Sequence, residues 1–311
     1  MNAFFHHLGL SLPLFLLVLV GYAAMRLSGW PAVVSESLTR VVYSVAIPAL
    51  LFRLLSQSAS YPPVDSRLLI AFFGGCLIVF VIGRIIAWKL FALDGVSQSV
   101  FALGGIFSNC VMLGLPVAKV SFGDEAVPSV ALVLVFNALT LWTLVTVSVE
   151  WARHGSLSIK GFGRTAKGVL TNPIIVGILS GTFFGLTGVS LPGFIDETLS
   201  MVAQSASPMA LIALGMGLAE YGVRNGWRIS VAVSIVKLIV SPLVVWGLAW
   251  LIGLPKMETQ VVVVLASMSV GVNVYMMSRQ FKALEGPTAS SLVLSTMLAS
   301  VTTPLLLTLM T

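Results

Sequence analysis

Two short stretches carry most of the residues able to do chemistry inside otherwise apolar sequence. Ser108-Asn109 is followed by Gly114 and Pro116, and Ser269 by Gly271, Asn273 and Tyr275. An asparagine amide both donates and accepts, so a pair of them can hold a polar or anionic solute without charge of their own. Pro116 removes a backbone donor and crowds the preceding turn while Gly114 loosens it, which predicts an interrupted helix over Asn109–Pro116. Val270-Gly271-Val272-Asn273 lacks a proline and is the weaker of the two signals. An interruption at mid-membrane exposes backbone that lipid cannot satisfy, so it is tolerated only where it is buried or lines a water-filled cavity. Where two such helices cross, half-helix ends meet, and each N-terminal end carries roughly half a positive charge, which suits a carboxylate. The plainer reading is packed, kinked helices with asparagines as interhelical glue. The matched pair favours binding.

Lys237, flanked by Ile235, Val236, Leu238 and Ile239, is deep enough in an apolar run for its charge to cost at least about 2.5 to 3.5 kcal/mol. It either faces a cavity, where it favours an anionic solute, or snorkels to an interface. Asn137, among Phe136, Thr140 and Thr143, is a further polar candidate, with packing as the equal alternative. No Asp or Glu falls in the middle of a predicted span, so the carboxylate that carries the proton in many antiporters is missing. Cys76 and Cys110 lie in apolar runs without metal-ligand spacing and read as small core residues. No nucleophile and base pair, metal cluster or phosphate loop argues for an enzyme.

The elements that position these residues follow from composition. Of the 311 residues, 58% are hydrophobic and 9% charged, with a mean hydropathy of +1.04, too apolar for a water-soluble surface. A hydrocarbon core about 30 Å thick needs roughly 20 apolar residues per helix, and the runs have that length. Spans are predicted near 8–27, 36–56, 66–91, 98–119, 126–150, 168–187, 194–219, 227–252, 260–281 and 287–310. The first run continues past Pro13 without a cleavage-type exit and reads as a retained helix.

The net charge of +6 sits between spans, as topology signals rather than a nucleic-acid surface. Loops after the odd spans hold Arg26, Arg40, Arg84, Lys89, Arg153, Lys160, Arg164, Lys167, Arg224, Arg228, Arg279 and Lys282. The opposite side holds only Arg53, Arg67, Lys119 and Lys256, which predicts the first set cytoplasmic and both termini outside. Five spans per half turn the second half upside down. Internal similarity agrees: Glu36 with mid-helix Pro48 in span 2 matches Glu197 with mid-helix Pro208 in span 7, and the asparagine stretches match between spans 4 and 9. The expected fold is therefore an all-α polytopic membrane protein, ten transmembrane helices as a 5+5 inverted repeat with broken, crossing helices 4 and 9. Residues 1–150 form the first repeat, 151–167 a cytoplasmic loop and 168–311 the second repeat.

The chain resembles the auxin efflux carrier family over nearly its whole length. The match is densest at Ser44–Phe52, at Ser108-Asn109 through Gly114-Leu115-Pro116, at Asn172-Pro173, at Ser207–Leu211 with Gly215, and at Leu294–Pro304. The resemblance implies a fold like that of bile-acid sodium symporters, with spans 1, 2, 6 and 7 as a scaffold and spans 3–5 and 8–10 as a moving transport domain. It also implies a homodimer through the scaffold and a substrate site at the 4/9 crossover. Asn109 and Asn273 match the family's crossover asparagines, and the residue reading above adds Ser108, Gly114, Pro116, Gly271, Tyr275, Asn137 and Lys237 as site candidates. Val111 and Met112 stand where Gly and Phe are usual, and Ser269 and Gly271 where Pro and Ala are usual, which bears on pocket shape. The loop of about 17 residues replaces the plant exporters' long one. The expectation is an alternating-access carrier of a small organic carboxylate in a bacterial inner membrane, without cofactor, with a proton or sodium ion as the candidate coupling ion. Sodium symport and an anion channel are the alternatives.

Overall fold

The computed structural model describes residues 2–57, 63–154, 172–221 and 226–310. These form α1 (Asn2–Ser28), α2 (Ala32–Val41), α3 (Ile47–Ser56), α4 (Leu68–Phe91), α5 (Gly95–Ile106), α6 (Leu115–Phe122), α7 (Val127–His154), α8 (Pro173–Leu186), α9 (Gly193–Tyr221), α10 (Trp227–Ile235), α11 (Ser241–Leu251), α12 (Lys256–Ser267), α13 (Val272–Phe281) and α14 (Glu285–Met310). Trp151–His154 of the expected cytoplasmic loop continue α7, whereas Lys160, Arg164, Lys167 and Arg224 lie outside the described residues. Among the described residues there is no strand, only an isolated antiparallel bridge between Ser108 and Val270.

Among the described residues, six helical stretches are long and apolar enough to cross a membrane: Phe5–Ser28, Ala32–Ser56, Leu68–Phe91, Gly193–Glu220, Trp227–Leu251 and Glu285–Met310. Shorter apolar helices cover Gly95–Ile106, Cys110–Phe122 and Pro173–Leu186. Leu27, Leu186 and Trp250 are 85%, 77% and 77% exposed, while Ser99, Ser241, Ser291 and Ser295 are wholly covered. That distribution is the reverse of a water-soluble protein's, and a hydrocarbon solvent accounts for it.

π-turns join α2 to α3 (Val42–Ala46) and α10 to α11 (Val236–Val240), and a third (Cys110–Gly114) leads into α6; after each, one intervening residue is followed by a proline: Pro48, Pro242 and Pro116. A proline cannot donate to the carbonyl four residues back and its ring presses on that carbonyl, so the preceding turn widens. The two mid-helix prolines of the expected repeat differ in this respect. Pro48 follows a π-turn, whereas Pro208 lies within the continuous α9.

Two groups of helices emerge from the packing. α1 lies along α9, and α3 packs on α8 and α9. At the α1–α9 crossing a Cβ on Gly215 would overlap the Val18 carbonyl oxygen and reach 2.8 Å from the Tyr22 nitrogen, so only glycine allows this approach. Arg53 on α3 holds Asp196 on α9 through Nε–Oδ1 at 2.9 Å and Nη2–Oδ2 at 3.1 Å. In the second group α4 packs on α5 and α11, α5 on α7, and α12 on α11; α14 touches α10 and α13 as well as α1. Asp94 starts α5 by accepting from the Ser97 amide at 2.8 Å, which fixes where that helix enters the second group.

Candidate functional site

Helices α5 and α12 have 12 residues each, and α13 has 10. At 1.5 Å per residue they are about 15 to 18 Å long, roughly half the thickness of a hydrocarbon core. After α5 the backbone turns extended at Phe107 (ψ 97°), and after α12 at Met268 (ψ 157°). The two extended segments pair: Asn109 N–H donates to Ser269 O at 2.9 Å, and Gly271 N–H donates to Phe107 O at 2.8 Å. A third helix closes the crossing, with Val270 N–H donating to Ser295 Oγ of α14 at 3.0 Å. Each break thus supplies the hydrogen bonds that the other lacks. Gly271 eases the close approach, since a Cβ there would lie 3.1 Å from Ser108 O and 3.2 Å from Phe107 O, and the crossing would have to give by a few tenths of an ångström to admit it.

The discontinuity of the first broken helix falls at Phe107–Asn109, at the leading edge of the Asn109–Pro116 stretch in which Gly114 and Pro116 predict it. Pro116 instead sits after the π-turn Cys110–Gly114, whose wider hydrogen bonding, with Gly114 N–H donating to Asn109 O at 2.9 Å, accommodates the donor it lacks. The helix restarts on Asn109 itself, whose Oδ1 accepts from Met112 N–H at 3.3 Å. Its Nδ2 is buried without an acceptor, as is Ser269 Oγ.

Lys237 is fully buried rather than snorkelling. From the π-turn between α10 and α11 its Nζ donates to Ser108 Oγ at 2.6 Å and to Ala266 O at 2.6 Å, so the ammonium lies at the back of the crossing.

On the opposite side a cavity of about 1060 Å³ opens between the two helix groups. One wall is α13, with Val272, Asn273, Tyr275, Met276 and Arg279, together with Met112. The other is Ser35, Glu36, Arg40 and Tyr43 of the α2 segment with Leu214, Gly217 and Glu220 of α9. The carboxyl group of Glu220 bonds Ser35 and lies beside Glu36. The first N–H groups of α13 have no intrahelical acceptor and carry the positive end of its dipole where Val272 and Asn273 line the cavity.

Of the residues expected at the site, Asn273 and Tyr275 line this cavity, and Asn109, Ser108, Gly271 and Lys237 form the crossing behind it. Gly114 packs on Leu265 and Met268 beside the crossing, and Pro116 is buried in α6. Asn137 is buried in α7 with Oδ1 unpartnered and does not line the cavity. Arg40 and Arg279 were legible only as topology charges, and Glu36 only as a repeat marker; their convergence on one cavity depends on α2 and α13 facing each other across it. Ser295 was legible only as part of the Leu294–Pro304 stretch that carries the resemblance.

A family model described as a membrane transport protein matches residues 7–307. An uncharacterized transporter of Methanocaldococcus jannaschii is 27% identical over 260 residues, 81% of this chain and 82% of its own. A protein of Rhizobium meliloti provisionally named a malonate transporter is 25% identical over 302 residues, covering 94% and 92% of the two chains. An auxin efflux carrier component of Arabidopsis thaliana is 18% identical over 335 residues, covering 89% and 90%.

Proposed function

The chain belongs to the membrane transport protein family, and from that membership we propose that it carries small organic carboxylates across the membrane by alternating access. The observation that carries this reading is a cavity that ends on the positive start of α13, beside Asn273 and within reach of Arg279. Helix N-termini and arginines are the groups that recognise carboxylates. The name of the Rhizobium relative is consistent with a short dicarboxylic acid.

In this reading the two helix groups are scaffold and transport domain, related through an inverted repeat of five and five spans, and the crossing travels with the bound anion. Arg40 and Arg279 stand on the side to which the charge bias assigns the cytoplasm, so the cavity is the inward-facing vestibule. Both termini are then periplasmic, and the scaffold is the face on which two copies pair. An inside-negative potential moves a monoanion outward with about 2.3 kcal/mol per 100 mV, which makes export the direction that needs no coupling.

The test is counterflow of radiolabelled malonate, malate and indole-acetate in proteoliposomes. Saturable counterflow with at least one acid is expected. Asn109→Ala and Asn273→Ala should each lower it about tenfold or more, since hydrogen bonds to a charged group contribute about 1.5 to 3 kcal/mol. Unsaturable single-channel currents would make the protein a channel, and full flux in both variants would remove the crossing from the site.

A further inference from the structure

Lys237 neither lines the cavity nor reaches an interface; it is held at the crossing by Ser108 and Ala266. Its ammonium has no exposure, and among the described residues the ion pairs are Arg53–Asp196, Arg67–Asp65 and Lys119–Asp124, none of which involves it. An unpaired buried charge is strongly unfavourable unless something else of opposite sign compensates. Here the compensation is backbone. Ala266 lies in the last turn of α12, whose final carbonyls have no intrahelical donors and carry about half a negative charge. Nζ sits 2.6 Å from the Ala266 oxygen and 2.6 Å from Ser108 Oγ in the facing break, joining the C-terminal end of one half-helix to the unwound segment of the other.

In broken-helix transporters, half-helix C-terminal ends and unwound carbonyls are where a coupling cation is coordinated. We propose that Lys237 is a resident counter-cation of the crossing, its ammonium standing where a free alkali ion would otherwise neutralise the end of α12, so that the carrier moves its anion without a co-transported sodium ion. The proposal rests on the carrier reading above. It assigns Lys237 as a positioning residue, since it acts through Ser108 and the α12 terminus and does not line the cavity. The π-turn that displaces the helix at Val236–Val240 is what brings the side chain to this point.

Two measurements test it, one with cargo and one without. Malonate counterflow by the wild-type protein should agree within about twofold in sodium, potassium and N-methylglucamine media, well below the roughly 5- to 150-fold of typical coupling. In detergent, the thermal midpoint of the wild-type protein should not respond to sodium. Lys237→Ala should lose flux by about tenfold or more, because a carbonyl and a hydroxyl lose a charged donor. Sodium or methylammonium should then raise both its thermal midpoint and its residual flux, a cation dependence that the wild type lacks. A wild-type flux or midpoint that climbs with sodium overturns the proposal, as does a folded Lys237→Ala protein with full flux or with no response to any cation. If Lys237→Ala does not fold, the wild-type arms still decide. If the wild type carries none of the acids, the carrier reading falls and the thermal arm still judges the cation.

Discussion

Ser295→Ala isolates the contribution of the third helix to the crossing. Ser295 Oγ accepts the Val270 amide at 3.0 Å and donates back to Leu292 O at a marginal 3.4 Å. Val270 and Ser295 are both fully buried, so neither water nor lipid can replace the hydroxyl. Removing it leaves an amide unpaired, a loss of about 1 to 3 kcal/mol, offset by less than about 0.7 kcal/mol from alanine's better helix propensity. The net expectation is about 1 to 2 kcal/mol. The change should appear as a lower thermal midpoint in detergent and as roughly 5- to 30-fold faster hydrogen exchange at Val270, at 1.4 kcal/mol per tenfold, if the amide exchanges through opening of the crossing. Ser300→Ala on the same helix is the control, because that hydroxyl bonds only its own helix at Met297 O. Equal exchange at Val270 in the wild type and Ser295→Ala would refute the reasoning, since the crossing would then be held by its two mutual hydrogen bonds alone.

Two further expectations follow from packing and capping. Gly215→Val places a branched side chain where even a Cβ overlaps the Val18 carbonyl, so α1 must separate from α9; the folded, monodisperse yield on size exclusion should fall to a small fraction of the wild type. The Ser97 side chain and amide beside Asp94 hold its carboxyl below the usual carboxylate range. Because that value is depressed on folding, its stabilisation is present above the unfolded value of about 3.9 and is lost as pH falls through the lower folded value. Asp94→Ala should therefore cost about 1 kcal/mol at neutral pH, a gap in thermal midpoint that closes on acidification toward pH 3.

How far each feature could be read from the sequence depends on how local its cause is. Proline punctuation is visible in the chain, but its result is not. Pro48, Pro116 and Pro242 share a widened turn, while Pro208 is absorbed into a continuous helix, because neighbours decide whether the freed carbonyl finds another partner. The break of the first crossing helix falls at Phe107–Asn109, at the leading edge of the Asn109–Pro116 stretch where the sequence predicts the interruption, for the same reason. Its cause is the pairing of Phe107 and Asn109 with Ser269 and Gly271, some 160 residues away, rather than Gly114 and Pro116.

What the sequence determined alone is the solvent and the elements. A chain that is 58% hydrophobic, with apolar runs of membrane length, must satisfy its backbone internally and so forms helices wherever those runs occur. The polar residues it contains, Asn109, Asn273 and Lys237, were recognisable because each is costly in such surroundings. Only the tertiary structure decided their parts: Asn273 on a cavity wall, Asn109 capping a helix, and Lys237 turned away from the cavity onto the end of α12. Burial cost is a property of one residue in its solvent, whereas a partner is a property of two segments, and the partner is fixed only when they meet.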